Sequence, residues 1–190
     1  LADGGLNSNL GAAAASATNL VFSGGTLQYT GTNVAIDRNF TLTNLTTGTI
    51  EVTNASTALT LNGAAASSTG ALTKTGSGTL VLVGNNAYSG ATTISAGTLK
   101  LGSAGSGANT PLGTVGNGTT VADGATLDLN GYTLATAEAL TISGAGYSSA
   151  GALTNSSATD VTYSGLITLG AAATIKASSG NIVLSNAGTI

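Results

Sequence analysis

Seven carboxylates and four basic side chains are the whole supply for acid–base chemistry in this chain: Asp3, Asp37, Glu51, Asp123, Asp128, Glu138 and Asp160, with Arg38, Lys74, Lys100 and Lys176. A polysaccharide lyase or hydrolase needs several carboxylates gathered with Arg or Lys, for proton transfer or to hold calcium. Here the carboxylates are strung out along the sequence. The closest pair, Asp123 and Asp128, reads as a corner Asp followed by a strand Asp. Asp37-Arg38 reads as a surface ion pair or turn feature, worth little energetically. With no His and no Cys, Ser-His-Asp and Cys-His arrangements lack their imidazole, and Cys/His zinc sites lack ligands. Four cations cannot neutralise a phosphate backbone, so nucleic acid is excluded as a partner. No catalytic, cofactor-binding or metal-binding residue is assigned, and the chain reads as a non-enzyme.

What remains is architecture. Ala, Gly, Thr, Ser and Asn make up 130 of the 190 residues, while 6% are charged and the net charge is −3. Disorder is favoured by low hydrophobicity together with high net charge, and the second condition fails. The pattern [Gly/Ala]-Thr-[Leu/Ile] recurs seven times, beginning at Gly25, Gly48, Gly78, Gly97, Ala125, Ala173 and Gly188. In the first six copies large apolar residues stand two and four places after the Gly or Ala, except where Ala177 ends the sixth. Period-two alternation marks a strand with one buried face. The inward ladder is then Leu27, Ile50, Val52, Leu80, Leu82, Leu99, Leu101, Leu127, Leu129 and Ile175. The outward ladder, if the copies stack in one register, is Thr26, Thr49, Thr79, Thr98, Thr126 and Thr174.

Between the first six starts the repeat averages close to 25 residues if the 48-residue step from Ala125 to Ala173 hides two units, which is in the range of solenoids. Asn62-Gly63, Asn117-Gly118, Asp123-Gly124 and Asn130-Gly131 are sharp corners in a solenoid and hairpin turns in a meander; the residues alone leave both open. Ala64–Gly70, Gly102–Asn109 and Gly144–Ser157 read as loops. One coil holds too few large apolar side chains to offset its ordering entropy, so coils must stack.

An outward Thr ladder resembles ice-binding surfaces, but that function needs two parallel Thr columns. The companion positions are Gln28, Glu51, Val81, Lys100, Asp128 and Lys176. Thr is also simply a good strand residue. Lys100 and Asp128 are candidates for an ion pair between coils. Tyr29 falls on the buried side of its strand, which favours packing over sugar stacking.

Residues 71–102 carry a closer likeness. Leu72-Thr73-Lys74-Thr75-Gly76-Ser77-Gly78-Thr79-Leu80-Val81-Leu82, then Gly84-Asn85-Asn86-Ala87-Tyr88-Ser89-Gly90-Ala91-Thr92-Thr93-Ile94-Ser95-Ala96-Gly97-Thr98-Leu99-Lys100-Leu101-Gly102, resembles the passenger-associated transport repeat of Gram-negative autotransporters. Leu80 stands where that repeat often has an aromatic residue, and Val83 where a small polar one is frequent. The resemblance implies a right-handed parallel β-helix, all-β, here about eight coils forming one segment over 1–190 and open at both ends. It further implies an exported protein at the surface of a Gram-negative bacterium, acting as stalk or adhesin toward host, matrix or cell surface. An excised piece of a longer protein is expected, with a signal peptide before Leu1 and an outer-membrane β-barrel after Ile190. A self-assembling extracellular filament subunit is the main alternative. An ice-binding solenoid and a polysaccharide-acting enzyme are the others.

Overall fold

A computed structural model describes residues 1–188. Thr189 and Ile190, and with them the last copy of the repeat, lie outside the described residues. Two seven-stranded parallel sheets form two sides of a solenoid. Sheet I contains Thr26–Tyr29, Thr47–Val52, Ala71–Thr75, Thr92–Ile94, Thr119–Val121, Leu140–Gly144 and Ile167–Ala173. Sheet II contains Val34–Ile36, Ala58–Leu61, Thr79–Leu82, Gly97–Leu101, Ala125–Asp128, Leu153–Asn155 and Ile175–Ala177. The chain alternates between the sheets, so there are about seven coils, one fewer than expected. At the ~4.8 Å spacing of paired strands the stack is roughly 34 Å long.

The third side is less regular. Val21–Phe22 pairs with Thr41–Leu42, Val161–Tyr163 pairs with Ile182–Leu184, and isolated parallel bridges join Phe40 to Ala65 and Ser68 to Tyr88. One antiparallel pair, Asn109–Thr110 with Gly113–Thr114, forms a small hairpin around Pro111. Variation in coil length is absorbed mainly here and at the corners.

The six copies of the short pattern do not form one column. Gly25 and Gly48 stand at the start of strands of sheet I and Gly78, Gly97 and Ala125 at the start of strands of sheet II, whereas Ala173 closes the last strand of sheet I just before Ile175–Ala177 of sheet II. Each coil therefore carries two alternating strands, and the motif serves both sides. The 48-residue gap does hold a further unit: Leu153 stands between Leu127 and Ile175. That strand lies inside Gly144–Ser157, which the sequence reads as loop. A Ser/Ala/Gly-rich context hides a three-residue strand whose only large apolar residue is Leu153.

Stacking like on like supplies the core. Val34, Leu59, Leu80, Leu99, Leu127, Leu153 and Ile175 form one inward column of sheet II. Ile36, Leu61, Leu82 and Leu101 form its neighbour. The central members are almost wholly removed from solvent, each contributing roughly 1.5–3 kcal/mol on burial. The parallel register makes the Asn-Gly and Asp-Gly pairs corners and not hairpin turns. Asn130 and Gly131 both adopt positive φ (50° and 81°) to turn out of sheet II. Gly63 is needed for a different reason: a Cβ there would run into the backbone of Arg38 and Asn39.

Corner asparagines tie coils together. Asn86 accepts from the Ala65 amide at 2.7 Å on one neighbouring coil and donates to the Pro111 carbonyl at 2.6 Å on the other. Asn155 does the same between Gly131 and Gly180. These buried amides satisfy backbone groups that the irregular third side leaves without a ladder partner.

Candidate functional site

The register fixes which side chains can meet. On the outside of sheet I, Thr26, Thr49, Thr73, Thr93, Thr120, Thr141 and Thr168 lie directly over one another, one per coil. Only Thr26 and Thr49 of the six ladder residues read from sequence belong to this column. Thr79, Thr98 and Thr126 stack on sheet II, and Thr174 is the single residue between the last strand of sheet I and the last strand of sheet II. Thr126 is not outward in effect: it is 1% exposed, donates to the Gly151 carbonyl and accepts from the Tyr147 amide. The true column was hidden because five of its seven members, from Thr73 to Thr168, lie outside the [Gly/Ala]-Thr-[Leu/Ile] motif. Alternation around the apolar runs would have found it. Two places along the same strands stand Gln28, Glu51 and Thr75, with Gln28 donating to Glu51 at 2.9 Å. The face thus carries a single Thr column.

The inward residues read from sequence fall on both sheets. Ile50 and Val52 are enclosed behind sheet I, and Leu80, Leu82, Leu99, Leu101, Leu127 and Leu129 behind sheet II. Leu27 is half-buried and Ile175 is 37% exposed, because they occupy the first and last coils and have a neighbour on one side only.

Two ionisable groups sit among these apolar columns. Leu27, Ile50, Lys74, Ile94, Val121, Ile142 and Leu169 are stacked in one inward column of sheet I. The Lys74 ammonium donates to the carbonyls of Thr75 (2.7 Å), Gly76 (2.8 Å) and Ala96 (3.1 Å), which uses all three of its protons. Burial pulls its pKa down to about 8, against an opposing pull from Glu51. Glu138 is inward on the third side. Its Oε1 accepts from Thr119 at 3.0 Å, and its Oε2 has no hydrogen-bond partner. Burial pushes this carboxyl up to about 7, with the Thr119 hydroxyl working against the shift. Two buried phenols adjoin it. Tyr163 donates to the Glu138 carbonyl at 2.8 Å, and Tyr88 is hydrogen-bonded to Thr92 at 2.6 Å. Desolvation raises both phenols well above their usual range. Neither Lys74 nor Glu138 was picked out as buried from sequence. Leu72-x-Lys74 and Leu134-x-Thr136-x-Glu138-x-Leu140 carry the signal, since the same alternation that points the leucines inward points these inward too.

The remaining charges are structural. Lys100 and Asp128, opposite each other on adjacent coils, form an ion pair at 3.3 Å. Asp128 also accepts from the amides of Asn130 and Ser156 and from the Ser156 hydroxyl. Arg38 is 2% exposed and donates to four backbone carbonyls, of Ala2, Asp3, Gly11 and Ala13. Asp37 and Asp3 bind the amides of Gly4 and Asp37 respectively. This Asp-Arg pair pins residues 2–13 onto the first coil and is not an exposed ion pair. Among the described residues no three His, Cys, Asp or Glu side chains gather closely enough to hold a metal. A groove of about 500 Å³ opens at the first coil, walled by Leu10, Leu27, Tyr29, Asn33 and Val34. No helix of the described residues is long and apolar enough to cross a membrane.

The geometry is therefore that of a repeat scaffold, and the comparisons with known proteins agree. The sequence profile of the passenger-associated-transport-repeat matches residues 72–101. Those residues run from sheet I through sheet II, around the Tyr88 corner and through both sheets again. The adhesin BmaC autotransporter of Brucella suis biovar 1 (strain 1330) is 45% identical over 130 residues, which is 68% of this chain and 4% of that protein. The chain thus spans a small fraction of the relative's length. No solved structure matches. The chain is an autotransporter passenger repeat domain built as a parallel β-solenoid.

Proposed function

We propose that this domain is a non-enzymatic stalk segment of an adhesive protein displayed at, or released from, the surface of a Gram-negative bacterium. The observation that carries this reading is the continuous parallel pairing of two seven-strand ladders, whose register shifts in sheet I at the last pairing, between Ile142 and Gly144. Such a ladder transmits position along a rod and repeats the same outward residue at each step. Similarity to an autotransporter adhesin supports surface display and contact with host or matrix. A barrel in the outer membrane would carry the full-length protein. The test is to display residues 1–190 on a non-adherent bacterium through an unrelated outer-membrane barrel and score attachment to epithelial cells and immobilised matrix. Attachment above that of the empty barrel supports the adhesive role. Attachment no higher than the empty barrel, or turnover of acidic polysaccharide by the purified domain, overturns that role or the non-enzymatic reading respectively.

A further inference from the structure

We propose that the turn of solenoid containing Glu138 is a pH-responsive joint, closed in acid and loosened as the medium rises toward neutrality, with the enclosed Glu138 carboxyl as its sensor.

The geometry is that of a carboxyl built to be neutral. Glu138 is 1% exposed, and one oxygen has a single hydroxyl donor while the other has none. Ionised carboxylates in proteins ordinarily accept several hydrogen bonds or face a cation. The titratable groups facing Glu138 are the phenols of Tyr88 and Tyr163, which carry no positive charge. The four basic side chains are engaged elsewhere: Arg38 with the N-terminal segment, Lys74 with its three carbonyls, Lys100 with Asp128, and Lys176 with the Ser149 carbonyl. Ionising Glu138 therefore places a charge with almost no compensation between sheet I and the third side.

The segment that carries Glu138 is also irregular. Residues 130–139 join sheet II to sheet I without a regular strand of their own. The hydroxyl of Thr136, two residues before the sensor, is a second buried polar group without a partner. Opening this segment would hydrate both groups at once. The sign follows from linkage. The closed form holds its proton more tightly than the open form, so closure is favoured at low pH and lost progressively as pH rises from the open-state value to the closed-state one. A closed-state value near 7 against 4.5 in the open form makes the opening equilibrium on the order of 50-fold larger at pH 8 than at pH 5.

Hydrogen exchange of amides 136–140 in the 190-residue chain, corrected for intrinsic rates, reads this equilibrium between pH 5 and pH 8. The wild type is expected to show the rise, and Glu138→Gln to show a flat profile. The same pH trend in both proteins overturns the proposal. Carboxyl carbon NMR of the wild type gives a second measurement that does not depend on the variant folding: a Glu138 midpoint above pH 6 supports the joint, and one at or below pH 6 refutes it.

Discussion

Lys74 lies directly beneath Ile50 in the inward column of sheet I, so a cation occupies a position that elsewhere in the column belongs to Ile, Val or Leu. It is tolerated because three backbone carbonyls at the corner take its protons. The folded state binds this proton less tightly than the unfolded chain does, at about 8 against 10.5. Between those values the unfolded chain holds more protons, so stability rises with pH, by up to about 3 kcal/mol. Thermal melts at pH 7 and pH 10 should show the wild type gaining on Lys74→Met. A constant difference between the two proteins would contradict this.

Position along the stack should set the cost of losing a core residue. Leu99 is sandwiched between Leu80 and Leu127, whereas Ile175 has Leu153 on one side only. Leu99→Ala is expected to cost about 2–5 kcal/mol in denaturant unfolding. Ile175→Ala should cost less than about 1 kcal/mol. Equal losses would mean that the coils do not share a continuous core.

The Lys100–Asp128 pair should be strongly asymmetric. Lys100 contributes a partly exposed ion pair, and Lys100→Ala should cost less than about 1 kcal/mol. Asp128 holds two backbone amides and a hydroxyl at a corner. Asp128→Ala should cost about 1–3 kcal/mol, because it orphans those donors. Urea titration of the two single variants makes the comparison.

Arg38→Ala should release the N-terminal segment without melting the solenoid. The guanidinium is the common partner of carbonyls from Ala2 to Ala13. Limited proteolysis is expected to cut within residues 2–15 of the variant much faster than in the wild type, with the main melting transition retained.

Much of this molecule was legible in its residues. Alternation in Gly97-Thr98-Leu99-Lys100-Leu101, repeated elsewhere, is enough to expect strands stacked into coils, because only a strand buries every second side chain. The order of Asn86, Tyr88 and the following Thr-rich strand carried the likeness to the transport repeat. What could not be read was register. The short motif occurs on both sheets, so six copies that look like one column divide into two, and the complete Thr column includes Thr73, Thr93, Thr120, Thr141 and Thr168, outside the motif. Leu153 was lost among Ser and Ala because three residues are too few to show a period. Lys74 and Glu138 enter the sequence reading only as members of the charge supply, although their spacing from neighbouring leucines places them inside.

The corner asparagines and ladders join each coil only to the ones above and below it. Tension along the rod is therefore carried by these interfaces in series, and one interface can open without unpairing the strands of coils beyond its neighbours. Each release pays out a chain of about 24 residues, which stretches to roughly 80 Å. A molecule made this way yields to drag by lengthening in instalments.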